Sequence, residues 1–348
     1  MKEKLFFFSL KHPLLYILLL AVVLKIIAVF FTSGYMIDGH YFNYYHIPLK
    51  WLDNAWLVYP VRIALGAFSL FIITISYRIV KIIADKTTAL EVALLLAALW
   101  SMPYVTVHPL PQVVCLPFLL YGTLLIVKQH DLMSNDKTEK FHRTSLIIAG
   151  FCFGLGFAVY YQSFIFYLGI VLALLILKKW KGALLTLTGY VIAVLFTQTI
   201  IDLIIWHRPF VNMIKFFSNN GEYLFNNMQN WYFDSTSIVV VMLYLVVIPL
   251  SIMLVFGFFR VWRKYLLLFV PTFMVLLFYT IFPNRLWIYT YTLIPTFIIT
   301  GFVGWKEYYK NSSFWTSKRW LSVTCYVIFA VINTIVYIWS FFPNFFTK

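Results

Sequence analysis

Few residues of this chain can do ionic or acid–base chemistry, and the best candidates gather in three short segments. The first reads Ser33-Gly34-Tyr35-Met36-Ile37-Asp38-Gly39-His40-Tyr41-Phe42-Asn43-Tyr44-Tyr45-His46, with one carboxylate beside two imidazoles. A partly desolvated carboxylate has a raised pKa and can take the proton of a hydroxyl. Asp38 fits that role, or it caps a short helix beginning at Gly39. His40 and His46 could join Asp38 around a metal, although their spacing is loose for ligands. The second segment runs from Asp202 through Trp206-His207-Arg208-Pro209-Phe210 and Lys215 to Trp231-Tyr232-Phe233. Asp202 precedes Arg208 by about one and a half helical turns, so a salt bridge at a helix end is the plain reading. The alternative is that Arg208 or Lys215 holds a lipid phosphate. The third is Pro283-Asn284-Arg285, where Arg285 is the sole charge between Lys264 and Lys306. Such an Arg either snorkels to lipid headgroups or binds an anion.

The elements that position these segments follow from composition. Of 348 residues, 62% are hydrophobic, 21% aromatic and only 11% charged. Soluble domains carry about 45–50% apolar and about 25% charged residues, so the surplus here must face lipid. A net charge of +15 does not indicate nucleic acid, because the basic residues sit in short clusters between apolar runs. Cys115, Cys152 and Cys325 lie inside apolar runs without metal-ligand spacing and read as small buried hydrophobes. A crossing helix needs about 20 mostly apolar residues. Spans are expected near 13–32, 62–84, 88–106, 109–127, 145–161, 163–177, 182–205, 237–258, 265–282, 286–304 and 320–341, eleven in all within a range of ten to thirteen. The fold expected is therefore all-α and polytopic, a single integral membrane domain over residues 1–348. No period-2 alternation suggests an outer-membrane barrel. The first apolar run lacks a small-residue cleavage site and reads as a retained anchor.

Orientation follows from Lys and Arg placement. With eleven spans and a cytoplasmic N-terminus, 20 basic residues fall on the cytoplasmic side and 6 on the other, with Lys25 inside the first span and near enough to its end to snorkel. The two longest outer connections, 33–61 and 206–236, are rich in Tyr, Trp, Phe, Asn and His. They are too apolar for free linkers and too polar for spans, which predicts interfacial helices in the first and fourth outer loops. Most Tyr and Trp belong to interfacial belts, and some outer ones are free to stack on a sugar ring.

This arrangement resembles the GT-C superfamily of polyprenyl-phosphate-sugar-dependent glycosyltransferases, and more narrowly glycosyltransferase family 22, the alpha-mannosyltransferases of glycolipid-anchor and lipid-linked oligosaccharide synthesis. The family's first-loop His-Pro-Asp-Glu and aromatic pair are echoed by Met36-Ile37-Asp38-Gly39-His40-Tyr41-Phe42-Asn43, with Gly39 where the family has Glu. Arg62, preceded by Trp56, resembles an Arg that begins the second span, and Asp202, Trp206 and Arg208 resemble an acid, aromatic and base leaving a mid-chain span. Phe216-Phe217-Ser218-Asn219, Gly221 and Trp231-Tyr232-Phe233 resemble the loop that follows. Pro283-Asn284-Arg285-Leu286-Trp287-Ile288-Tyr289 with Pro295 is similar to the family's Pro-His-Lys-Glu-x-Arg-Phe, keeping only the first basic position.

The resemblance implies a divergent bacterial member in the cytoplasmic (inner) membrane, active at the outer face. It implies inverting transfer of a hexose, mannose by the likeness, from a polyprenyl-phosphate sugar to a lipid-linked or surface glycan. Asp38 would be the general base, and Arg285 with Arg208 or Lys215 would hold the donor phosphate. His40, His46, Asp202, Trp231 and Tyr232 would contact acceptor or sugar. No cofactor, metal or nucleic acid is implied. A lipid-linked-sugar flippase or polymer ligase is the alternative, sharing the basic outer loops. A secondary transporter would show internal repeats and ionisable groups at mid-membrane, and no repeat is visible.

Overall fold

The computed structural model describes residues 12–31, 55–134, 143–218, 246–281 and 291–341. Apolar runs this long have no water to bond their backbone, so each must satisfy its own N–H and C=O groups as helix. Every regular element among the described residues is helical. In order these are α1 (Pro13–Phe31), α2 (Ala55–Phe68), α3 (Leu70–Ile83), α4 (Lys86–Ala98), α5 (Ser101–Thr106), α6 (Pro111–Ser134) and α7 (Arg143–Val159). A 3₁₀ turn (Tyr161–Ser163) leads into α8 (Phe164–Ile176), followed by α9 (Trp180–Trp206) and a helical segment over 211–218. The last five are α10 (Leu250–Arg260), α11 (Leu266–Ile281), α12 (Ile294–Asn311), α13 (Ser313–Ser317) and α14 (Arg319–Phe341).

The chain is an all-α polytopic membrane protein. Among the described residues, five helices are long and apolar enough to cross: Pro13–Phe31, Val58–Ile83, Pro111–His130, Trp180–Trp206 and Arg319–Ser340. Arg143–Val159, Tyr161–Ile176, Leu250–Arg260 and Leu266–Thr280 are shorter apolar helices beside them. Each expected span coincides with described helix over at least part of its length. The expected 88–106 span differs, because it is two helices, α4 and α5, parted at Leu99 and Trp100. The 211–218 segment falls where the fourth outer loop predicts a short helix, whereas residues 33–54 of the first outer loop lie outside the described residues.

Helix direction alternates, which gives the bundle two unlike ends. At one end Lys264 pairs with Glu307 and Lys306 with Glu91, both at 2.8 Å, and Lys310 with Asp85 at 2.6 Å. These three are the ion pairs found among the described residues, and their end is called the basic end below. At the other end, that of Phe31, the described contacts between helices include hydroxyls, amides, the Asp202 carboxylate and the Lys25, Arg62 and Lys215 cations.

Two features hold the helices in register. At the α7–α9 crossing, a Cβ on Gly150 would collide with the Thr186 carbonyl, and one on Gly189 with the Ile147 carbonyl. Only glycine lets two backbones approach this closely, the usual way to gain packing when lipid offers no hydrophobic drive. The second feature is the α4–α5 break. It frees the Ala98 carbonyl and the Trp100 N–H, and the side chain of Asn333 from α14 meets both: Nδ2 donates to Ala98 O and Oδ1 accepts from Trp100 N, each at 2.9 Å. Tyr337 adds a hydroxyl donated to Leu24 O at 3.0 Å. The rest of α14 is largely exposed, with Trp320, Val323, Val327, Val331, Ile335 and Trp339 more than half uncovered, as a lipid-facing helix requires.

Asp85 shows how the basic end is tied. It caps α4 by accepting from Thr88 N at 2.8 Å and takes Lys310 Nζ at 2.6 Å. Burial pushes its carboxyl up, but the Lys310 and Thr88 bonds outweigh this and hold it below its ordinary value. Its stabilisation is therefore complete above the ordinary Asp pKa of about 3.9 and is lost as pH falls through the depressed value.

Two predictions follow from this packing. Gly150→Leu and Gly189→Leu should force α7 and α9 apart at a cost of about 1–3 kcal/mol or more, read as a lower thermal midpoint in detergent. Gly182→Ala, whose added Cβ meets only ordinary contacts at 3.8–3.9 Å, should be neutral. Asp85→Ala should lose about 1 kcal/mol of cap at neutral pH and should flatten the acid limb of a stability–pH curve below about pH 4. An unchanged acid limb would remove Asp85 from that role.

Candidate functional site

Two polar clusters stand at the Phe31 end, each joining helix ends to side chains from within neighbouring helices. The first lies in the seam between α1, α2 and α5. Lys25, only 6% exposed, donates to Ser69 Oγ at 2.7 Å and Thr106 Oγ1 at 2.5 Å. Arg62, on α2 and 5% exposed, donates from Nη1 to Val29 O at 3.0 Å. Arg62 and Gly66 on α2, and Ser69 just past its end, recur at helical spacing along one face. Gly66 leaves that face bare where the Lys25 stem and Val107 pass. His108 is buried beside them, its Nδ1 2.8 Å from Tyr104 O. Gln112, fully buried at the start of α6, has neither side-chain amide atom hydrogen-bonded.

The second cluster joins α7, α8, α9, α11 and the 211–218 segment. The Tyr160 and Tyr279 hydroxyls both donate to Gln162 Oε1, at 2.5 and 2.7 Å, and stand 2.7 Å from each other. Tyr161 donates to Gln198 Oε1 at 2.9 Å, and its ring packs on Phe216 at 4.8 Å between centroids. α9 stops at His207, whose left-handed φ of 56° ends the helix as a C-cap. Phe210 is also left-handed, at φ 60°. Together they reverse the chain, so that residue 212 returns over the last turns of α9.

That reversal decides what Asp202 does. The expected bridge to Arg208 is not formed among the described ion pairs, and Arg208 is exposed. Asp202 is 1% exposed and spends both oxygens on Asn212: Oδ2 accepts from the backbone N–H at 3.1 Å and Oδ1 from Nδ2 at 2.7 Å. It caps the 211–218 segment across the turn, satisfying a donor that a helix start leaves open. Lys215, on that segment, puts Nζ 4.0 Å from the Trp206 ring centroid. Asn212 and Lys215 thus fold the segment back onto Asp202 and Trp206 of α9, while Arg208 forms no ion pair with the carboxylate among the described residues.

Lys25 is the residue whose reading changes most. It does not snorkel to the span end but is buried within the bundle, held by two hydroxyls. Arg62, expected at an outer surface, is likewise buried. Thr106 falling against the first span was the missed signal, and no spacing rule links positions 81 residues apart. Asp38, His40, His46, Trp231, Tyr232 and Arg285 lie outside the described residues. No group of three His, Cys, Asp or Glu able to hold a metal occurs among the described residues. A cavity of about 230 Å³ does occur, but at the basic end, lined by Ile82, Ile83, Val127, His130 and Tyr265, away from both clusters.

Comparison with known proteins bears on what this end does. Residues 53–206 match the family model described as dolichyl-phosphate-mannose-protein mannosyltransferase. The match supports a GT-C glycosyltransferase. It covers somewhat under half of the chain, from α2 to the last turn of α9, and so takes in Arg62 and Asp202 but neither Asp38 nor Arg285. The narrower likeness to family 22 rests on the sequence motifs alone. No curated protein sequence matches the chain.

Asp202→Ala should strand the buried Asn212 donors and loosen the 211–218 segment. Limited proteolysis near Lys215 should then accelerate several-fold, while Arg208→Ala leaves cleavage unchanged. Equal acceleration in both variants would restore the bridge between them.

Proposed function

We propose that this protein is a membrane-bound hexosyltransferase that moves a sugar, mannose in the first instance, from a polyprenyl-phosphate donor to a lipid-linked or surface glycan. The observation that carries this reading is the match of residues 53–206 to mannosyltransferases that use a lipid-phosphate sugar. A second observation supports it: Phe31, Trp206 and Ile281, which precede the segments of Asp38, Arg208 and Arg285, all end helices at the same end of the bundle. That end is the one expected away from the cytoplasm of a bacterial inner membrane, since the basic end carries the Lys- and Arg-rich connections.

In the reaction the acceptor hydroxyl oxygen forms a bond to the sugar anomeric carbon as the bond from that carbon to the phosphate oxygen breaks. The configuration inverts. Asp38 takes the hydroxyl proton, a contribution of about 10²–10⁴-fold for a positioned base. Arg285, with Arg208 or Lys215, meets the charge growing on the departing polyprenyl phosphate. His40, His46, Trp231 and Tyr232 contact the acceptor or sugar. Asp202 acts on this site by fixing the segment that carries Lys215, since both its oxygens are already engaged.

A lipid-linked-sugar flippase is the second reading, favoured by one observation, the ionisable Lys25 buried inside a spanning helix. Labelled polyprenyl-phosphate mannose in vesicles separates the two. Transfer or hydrolysis supports the enzyme, and movement of intact donor without chemistry supports the flippase. Asp38→Asn should abolish transfer with expression and thermal midpoint unchanged, and turnover surviving in it removes Asp38 as the base. Arg285→Ala should weaken use of the lipid-phosphate donor, and unchanged kinetics would count against that role.

A further inference from the structure

The cavity at the basic end, about 230 Å³, lies where α3, α6 and α8 run out and α11 begins. A Cβ on Gly169 of α8 would collide with Pro271 of α11, so these two helices touch there backbone to backbone. The cavity lies on the basic side of that crossing, at Leu177, Leu266 and Leu268. Tyr265 ties the start of α11 to the end of α3, its hydroxyl donating to Ile83 O at 3.3 Å. His130, Lys264 and Tyr265 are the polar lining, and the remainder is aliphatic. A hollow of this size is costly to leave empty in a close-packed interior. It has room for about eight waters at ~30 Å³ each, yet a mostly aliphatic lining gives them few partners. It is also smaller than the ~300–1,000 Å³ of sites that enclose a whole small-molecule ligand, so what fits is one end of a larger molecule.

We propose that this cavity seats the headgroup of an anionic phospholipid from the leaflet at the basic end, its phosphate beside Lys264 and its glycerol against the aliphatic wall. The level fits, because the lining residues stand at helix ends, where the hydrocarbon core gives way to lipid headgroups. The charge fits as well. The segments expected on this side hold 20 Lys and Arg against seven Asp and Glu, with Asp131 beside His130 among the acids. A zwitterionic headgroup would bring its own cation toward this surplus, and an anionic one does not. Lys264 Nζ meets Glu307 at 2.8 Å, but the two side chains are 57% and 36% exposed, so the pair is of the weak surface kind. An ammonium has three N–H donors, and Glu307 takes one. Basic pockets between spanning helices hold acidic headgroups through such cations. Binding here needs neither sugar nor turnover, so the site stands apart from the transferase reading.

The test is the thermal midpoint of the purified full chain in detergent, titrated with phosphatidylglycerol, phosphatidylcholine or glycerol 3-phosphate. Phosphatidylglycerol should raise the midpoint saturably, as a ligand of the folded state does, and the other two should not. Lys264→Gln should weaken the apparent affinity for phosphatidylglycerol by roughly tenfold, as loss of a charge-assisted bond does. Glu307→Gln should strengthen it several-fold, because it frees Lys264. An ion pair that only braced the helices would lower the lipid-free midpoint in both variants and leave both affinities unchanged, which overturns the site. Val127→Phe fills the hollow and should abolish the phosphatidylglycerol shift without lowering the lipid-free midpoint. If that variant does not fold, Ile82→Phe, on a partly exposed residue of the same wall, is read in its place. A shift that survives the filled cavity puts the lipid elsewhere and overturns the proposal. Equal shifts with phosphatidylcholine amount to ordinary solvation by lipid and overturn the headgroup reading. Glycerol 3-phosphate acting at the same concentration reassigns the site to a free anion and overturns the lipid.

Discussion

A chain immersed in hydrocarbon has nothing but itself to satisfy its polar groups, and this constraint accounts for most of what the structure does with its few hydrogen-bonding side chains. Threonine and serine hydroxyls turn back on their own helices, as Thr123 does to Leu119 O and Thr272 to Leu268 O. Where a helix breaks at Leu99, another helix must supply the missing donor and acceptor, and Asn333 does so. Where α9 ends and a new helix begins five residues on, Asp202 supplies the cap. Polar side chains are concentrated at discontinuities because those are the places where backbone groups have lost their helical partners.

The same constraint separates the two ends chemically. At the basic end each described ion pair joins a carboxylate to a lysine, amid a surplus of Lys and Arg in the connections. In the α1–α2–α5 seam at the opposite end, charge is carried by Lys25 and Arg62 among hydroxyls, carbonyls and aromatic rings.

Much of the architecture was legible in the sequence because apolar run length and basic clusters report directly on spans and their ends. Each expected span contains helix, and the aromatic 206–236 stretch contains the short helix at 211–218. What the sequence concealed depends on contacts between distant positions. The 88–106 run is apolar throughout, and its break becomes intelligible only with Asn333 beside it. Lys25 stands near enough to a span end to snorkel, yet Ser69 and Thr106, 44 and 81 residues away, hold it inside. Asp202 was matched with Arg208 by counting helical turns, a count that fails once His207 and Phe210 adopt left-handed backbone and redirect the chain. Of the candidate site, Lys215 is seen to meet Trp206 and Asp202 to cap the segment that carries Lys215, and Asp38 and Arg285 fall beyond the described residues.

Asn333 has a further meaning for how this protein is made. The two backbone groups it serves, Ala98 O and Trp100 N, are synthesised some 235 and 233 residues ahead of it. Until α14 has entered the bilayer and docked, the nascent bundle carries an open peptide-sized gap in its α4–α5 helix, facing lipid or loosely trapped water. Docking of α14 is thus what closes a defect left by helices made much earlier.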